Sequence, residues 1–242
     1  MKAHFDAAGE VLIVTGGARG IGAGLVRAYA DLGGTAVVFD VVPAPDLAEH
    51  PRIEVHHVDV SDATAVRNAV DDVAARHGRI DALVAGAAVQ PRVDVMDTSP
   101  ALWRQVMAVN LDGVVWCCQA VLPHMVERRT GAILVFASGL ALAGRAQAAA
   151  YAASKGALVA YAKSLAAEVA EHRVRVNTVF PGVIDTAQFR DANPDGRERD
   201  HWAATTGIGT ADDVVGPLLF LLSDAATMTG STLTRDRAFP KE

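Results

Sequence analysis

Short β-branched runs recur along this chain, and segments of helical period separate them. Val11 to Val14 leads into Thr15-Gly16-Gly17, Thr35 to Phe39 closes on Asp40, and Ile53 to Val58 is followed by Asp59. Asp81 to Ala85, Ala132 to Ala137, Val174 to Phe180 and a last run near Ser231 to Thr234 continue the series. Between them lie helical patterns from about Gly20 to Leu32, Ser61 to about His77, Ser99 to roughly Arg128, about Ala149 to Glu171, and Ala211 to about Leu222. Gly33-Gly34 stops the first helix, Ser61 reads as an N-cap, and Ser99-Pro100 opens the long middle helix. Strands alternating with helices imply right-handed crossovers, parallel strands and helices on both faces. The expectation is one doubly wound α/β domain over residues 1–242, with a mainly parallel, roughly seven-stranded sheet. Ligands bind such folds beyond the carboxyl ends of the strands.

Composition narrows the function classes. Half of the 242 residues are hydrophobic, enough for a sizeable core without disulfide or metal staples. The net charge is −6 and no run of Lys or Arg occurs, which argues against a nucleic acid or an anionic membrane as partner. Cys117 and Cys118 are adjacent, so a disulfide between them is strained; they read as two small buried residues. No metal-ligand spacing is present. Free thiols and the lack of a charged-then-apolar leader before Val11 point to the cytoplasm. Gly, Pro or charge breaks the longest apolar stretches before membrane-spanning length.

The first strand ends in Thr15-Gly16-Gly17-Ala18-Arg19-Gly20-Ile21-Gly22. Glycines at 16, 20 and 22 let the backbone turn sharply and approach a pyrophosphate, and the helix that follows aims free N–H groups at the anion. Spaced this way the glycines also suit an ordinary tight turn. Asp40, about twenty residues on at the end of the second strand, is placed to accept hydrogen bonds from both hydroxyls of an adenosine ribose. Its charge repels a 2′-phosphate and Val41 offers no cation, so NAD (NADH) is expected over NADP; Arg19 is the counter-signal. Asp59-Val60 ends the third strand, where it suits an adenine contact, a helix cap, or both.

Tyr151 and Lys155 lie four apart on the long alanine-rich helix and so share a face. A positive charge favours phenolate and brings a tyrosine pKa toward working pH, which equips Tyr151 to exchange a proton with an alcohol. Ser138, just after the fifth strand, is placed to hydrogen-bond a carbonyl or alcohol oxygen. Asn110 sits where its amide is able to interrupt the helix ladder and hold a water near Lys155. Taken singly, each is also an ordinary structural residue.

Together, in this order and spacing, these motifs resemble the short-chain dehydrogenase/reductase family over nearly the whole chain. The resemblance rests on Thr15 to Gly22, Asp40, Asp59-Val60, Asn110, Ser138, Tyr151-x-x-x-Lys155, and Asn177-x-Val179-x-Pro181-Gly182 with Thr186 beyond. It implies a Rossmann-type fold and a catalytic tetrad of Asn110, Ser138, Tyr151 and Lys155. It also implies that Lys155 holds the nicotinamide ribose, that Asn110 supports a proton relay through water, and that Val183 and Thr186 contact the carboxamide. Helices from Ser99 and Tyr151 commonly form the subunit interface in the family, usually in homotetramers. Two motifs depart from the pattern. Ala85-Gly86-Ala87-Ala88 replaces Asn-Asn-Ala-Gly, with small residues such as Ala87 still admitting the ribose, and Asp236-Arg237-Ala238 replaces Asp-Gly-Gly.

Residues 183–210 have mixed composition and no clear period, and are expected to form a substrate lid. Their charges, including Asp185, Arg190, Asp191, Asp195, Arg197, Glu198, Arg199 and Asp200, are expected mostly to face water. Phe189 and Trp202 offer apolar contact, and Val89-Gln90-Pro91-Arg92, Leu140 and Gln147 are candidate pocket walls. The expected activity is interconversion of a small-molecule secondary alcohol and a ketone. A carrier-linked 3-oxoacyl reductase using NADPH, and a catalytically idle cofactor sensor, are the alternatives.

Overall fold

The computed structural model describes residues 4–194 and 196–236. Its strands are β1 (Val11–Thr15), β2 (Thr35–Asp40), β3 (Ile53–His57), β4 (Ala82–Ala85), β5 (Gly131–Phe136), β6 (Val174–Phe180) and β7 (Thr232–Thr234). They form one seven-stranded sheet in the order β3-β2-β1-β4-β5-β6-β7, and every pairing is parallel. The helices are α1 (Gly20–Asp31), α2 (Pro45–Ala48), α3 (Ala63–His77), α4 (Pro100–Met107), α5 (Gly113–Arg128), α6 (Leu140–Ala143), α7 (Ala149–Val169), α8 (Ala187–Asp191), α9 (Arg197–Thr205) and α10 (Asp212–Leu222).

Side chains alternate across each strand, and the two faces build two cores. Val11 and Ile13 of β1, with Val37 and Phe39 of β2, meet Val66, Val70, Cys117, Val121 and Leu158 from α3, α5 and α7. Leu12, Val14, Ala36 and Val38 point the other way, onto Leu25, Val26, Val214 and Leu218 of α1 and α10. A sheet covered on both faces needs continuous apolar strands, and β1 is buried at all five positions. The strand order reverses between β1 and β4, so the loops after these strands part and leave a crevice at the sheet's carboxyl edge.

Two details differ from the sequence expectation. Asp62, not Ser61, caps α3, its carboxylate accepting from Thr64 and Ala65 N–H at 2.9 and 3.0 Å. Ser61 is instead held by Asp59, whose Oδ1 accepts from its N–H and its hydroxyl. The helical run Pro100–Arg128 is continuous, so it is long and apolar enough by length and composition to cross a membrane. Here α5 buries Val114, Cys117, Cys118, Val121 and Met125 against the sheet, as a core helix does. The departure at Arg237-Ala238 lies outside the described residues.

Candidate active site

The turn after β1 is backbone packed on backbone. Gly16 has φ 69°, and a Cβ there would stand 2.8 Å from both the Cα and the N of Ala87. Gly20 has φ 59° and starts α1; a Cβ there would come within 3.1 Å of the Thr186 methyl, so the loop after β6 also closes on this turn. Asp62, Ser99 and Thr186 cap their helices with side-chain oxygens, whereas Arg19, at the N-cap of α1, makes no such bond. The first-turn N–H groups around Ile21 and Gly22 therefore keep donors for an external anion. Across the turn, Asp40 accepts from Ala18 N–H through Oδ2 and from Val42 N–H through Oδ1, each at 3.0 Å. A carboxylate has about four acceptor sites, so both oxygens retain capacity for a diol. A glycine cradle, an uncapped helix start and a strand-end carboxylate together fit a dinucleotide cofactor.

The altered motif after β4 is braced from β1. The Thr15 hydroxyl accepts from Gly86 and Ala87 N–H at 3.1 and 3.2 Å, joining the two strands where the crevice opens. Sequence reasoning gave Thr15 no such role. Val60 is buried beneath Gly113, where a Cβ would meet the Val60 side chain at 2.7 Å. Val183 accepts from Gly209 N–H through its carbonyl at 2.9 Å, and Thr186 Oγ1 accepts from Phe189 N–H.

Asn110, Ser138, Tyr151 and Lys155 come together below this crevice. Asn110 is fully buried in residues Ala108–Asp112, a single π-helical turn that interrupts the long helix. Its Oδ1 accepts from Val89 N–H at 2.8 Å, and its Nδ2 donates to Val89 C=O at 2.9 Å and to Ser154 Oγ at 3.2 Å. Both amide donors are thus committed to protein partners, while Oδ1 keeps one acceptor site. The Ser154 hydroxyl in turn donates to the Tyr151 carbonyl at 2.7 Å. Ser154 is a residue that sequence reasoning passed over; its place between Tyr151 and Lys155 in a helix interior was the available signal.

The Ser138 hydroxyl lies beside the Tyr151 phenol and favours its ionised form, and the Ser138 Oγ accepts from Leu140 N–H at 3.2 Å. Lys155 Nζ lies 5.9 Å from the Tyr151 ring centroid and donates to the Phe136 carbonyl at 2.6 Å. Burial pushes the Tyr151 phenol above its ordinary range, and the Ser138 hydroxyl offsets only part of that rise. That corrects the sequence expectation that the lysine charge governs the phenol: here burial outweighs it. Burial also lowers the fully enclosed Lys155 amine to about 8.

The segment after β6 folds as α8 and α9, with Phe189 half-buried. Its charges pair more than the sequence suggests. Arg190 and Arg199 reach Asp185 at 2.8 and 3.8 Å, while Glu198 turns inward to Arg92 and Arg145; Asp191 and Asp200 are exposed. Asp195 lies outside the described residues. A cavity of about 350 Å³ opens between the phosphate turn, the β4–α4 loop and α8, lined by Arg19, Val89, Pro91, Arg92, Leu102 and Gln188. Gln147 stands at its rim with φ 61°, tied to Arg92 and Asp94; Leu140 is half-buried at the start of α6.

Comparison with known proteins agrees with this geometry. The short chain dehydrogenase family profile matches residues 10–197. A D-threitol dehydrogenase of Mycolicibacterium smegmatis is 37% identical, over 96% of this chain and 93% of its own. A 3-oxoacyl-[acyl-carrier-protein] reductase of Chlamydia pneumoniae is 33% identical, over 94% and 96%. The crystal structure of a 3-ketoacyl-(acyl-carrier-protein) reductase from Brucella melitensis, complexed with NADH, superposes with a TM-score of 0.88 at 27% identity, covering 95% of this chain and 97% of that one. The chain belongs to the short-chain dehydrogenase family and is an oxidoreductase.

Proposed function

We propose that this protein interconverts a secondary alcohol and a ketone with NAD(H), and that Tyr151 is its general acid/base. The observation that carries this reading is Tyr151 with Lys155 on its helix face and the Ser138 hydroxyl beside the phenol, next to the cradle formed by Gly16, Gly20 and Asp40. A nicotinamide dinucleotide bound in that cradle supplies the acceptor, or in reverse the donor, of a hydride. In oxidation, the Tyr151 phenolate takes the alcohol proton while Ser138 holds the same oxygen. In reduction, the phenol returns that proton to the forming alkoxide. Lys155 places positive charge behind the phenol and reaches the ribose side of the crevice. Asn110 and Ser154 act as positioning residues that fix the start of α7. Arg19, Ile21, Gly22, Asp59, Val60, Ala87, Val183 and Thr186 line the cofactor side of the crevice, with Ser138, Leu140, Gln147 and Phe189 on the substrate side. The α8–α9 segment covers the substrate.

Asp40 supports NAD over NADP, because its negative charge at the end of β2 would repel a 2′-phosphate. The second reading, a carrier-linked 3-oxoacyl substrate reduced with NADPH, draws on relatives such as the Chlamydia enzyme; Asp40 disfavours the NADPH in it and leaves the substrate open. Helices α4–α5 and α7 are the surfaces we assign to a homotetramer or homodimer, and the buried free thiols Cys117 and Cys118 suit a reducing cytoplasm. The test is Tyr151→Phe: turnover over a panel of ketones should fall by about 10²-fold or more, while NADH binding by fluorescence titration persists. Undiminished turnover would sink the proposal.

A further inference from the structure

Three loops that are far apart in sequence meet at the mouth of the crevice through two arginines. Arg92, on the β4–α4 loop, donates from Nη1 to Glu198 Oε1 at 3.0 Å, to the Ala192 carbonyl at 3.2 Å and to Asn193 Oδ1 at 3.3 Å. Its Nη2 donates to Gln147 Oε1 at 3.2 Å. Arg145, on the loop that joins Ser138 to Tyr151, donates to Asn193 Oδ1 at 2.7 Å and pairs with Glu198 Oε2. The Val93 N–H donates to the Gln147 carbonyl at 3.1 Å, fastening one loop to the other.

The charges here do not balance. Two guanidiniums share one carboxylate among the described residues, and their side chains are only 22% and 14% exposed. Arg92 Nε is buried without a hydrogen-bond partner among those residues. The neighbouring Asp94 and Asp191 are exposed, so water screens them. Burial, with a lesser repulsion from Arg92, lowers Arg145 to about 10. Half-buried guanidiniums recognise carboxylates by paired N–H donors. Beside them, Val89, Pro91, Leu102 and Val106 give the cavity apolar walls for a carbon skeleton. A protein of net charge −6 that keeps surplus cations at its substrate mouth has a local reason to do so.

We propose that Arg92 and Arg145 form a carboxylate-binding subsite, and that the substrate is a hydroxy acid or its oxo acid. Glu198, carried on α9, occupies this subsite as an internal anion; the substrate carboxylate displaces it, and Asn193 and Gln147 retain their bonds to the arginines. The inference rests on the oxidoreductase reading for the reacting carbonyl, but its test is a binding measurement that stands apart from turnover.

The probes are 4-oxopentanoate, 5-oxohexanoate and 3-oxocyclopentanecarboxylate, each beside its primary amide, with affinity read by ligand-observed NMR in the presence of NAD+, which cannot reduce them. At least one acid should bind about tenfold or more tightly than its amide, the worth of a charge-assisted hydrogen bond. That preference should fall about tenfold in Arg92→Gln and in Arg145→Gln. It should rise in Glu198→Gln, where the competing anion is gone. In the unaltered protein, raising NaCl from 50 to 500 mM should weaken acids and spare amides, a readout that needs no variant. Equal binding of acid and amide in every pair, or equal loss of both in the arginine variants, overturns the proposal and leaves these residues as a purely structural clasp. Selective acid binding with no NADH oxidation on any ketone would instead count against the oxidoreductase reading.

Discussion

Asn110 and Ser154 touch across 3.2 Å, and that contact fastens the π-helical turn to the helix that carries Tyr151 and Lys155. Asn110 holds Val89 by both its N–H and its C=O, and Ser154 passes the connection to the Tyr151 carbonyl. The crevice wall and the proton-transfer helix are thus one hydrogen-bonded unit. Asn110→Ala leaves two buried backbone groups unpaired and should cost about 1–3 kcal/mol for each. Ser154→Ala should cost about 1 kcal/mol. The double variant should lose less than the sum, because the two share a bond. Urea unfolding of the set checks this, and strict additivity would contradict it.

Lys155 is a buried cost that the fold tolerates. Its amine titrates near 8 in the folded protein and near 10.5 when unfolded, so below pH 8 the folded state carries an unfavourable charge worth roughly 3 kcal/mol. Stability should rise as pH climbs from 8 to 10.5, because only the unfolded chain still holds the proton there. Lys155→Met should therefore lose turnover yet unfold at least as high as the parent at pH 7, and its advantage should vanish by about pH 10.5. A thermal scan at both pH values decides it; a variant several degrees less stable at pH 7 refutes it.

Asp40 is the handle on cofactor choice. Replacing it with Ser keeps an acceptor for Ala18 or Val42 N–H, and Val41→Arg adds a cation beside it. The pair should shift kcat/KM toward NADPH by about 10- to 100-fold, the scale of one charge-assisted hydrogen bond. Steady-state rates with both cofactors measure the shift, and an unchanged ratio would remove Asp40 from the argument.

Gly16 is needed twice over. Alanine there must adopt φ 69° and place a Cβ 2.8 Å from the Ala87 backbone. Strain alone should cost about 1–3 kcal/mol, and relief by moving the turn should weaken NADH binding. Chemical denaturation and NADH titration of Gly16→Ala read both effects; wild-type values in both would show that the turn yields freely.

The central strands were legible because β1, β2 and β4 are mainly apolar runs ended by Gly or Asp, and a sheet buried on both faces permits little else there. The site was legible where one side chain does one job, as at Tyr151, Ser138 and Asp40. It was hidden where a residue works through a distant partner. Nothing local tells that Thr15 bonds residues 71 and 72 positions away, or that Arg92 meets Glu198 across 106. Position 61 misled because Asp59, Ser61 and Asp62 are all able caps, and only backbone geometry selects Asp62. The phenol–lysine pair misled in another way: spacing reveals proximity, whereas the titration depends on how far burial excludes water.

The Val183 carbonyl accepts from Gly209 N–H, and Asp185 N–H donates to the Gly209 carbonyl, so the two ends of the α8–α9 segment are stapled side by side. The chain between them leaves the sheet and returns at nearly one point. Most of its loop-closure entropy is thereby settled at the base, whatever the segment does above it. Above that base, the segment is held to the rest of the fold by the Arg92 and Arg145 contacts to Ala192, Asn193 and Glu198, so opening it costs those contacts rather than a fresh loop closure. Evolution can rebuild that segment for new ligands while the fold beneath it keeps its stability.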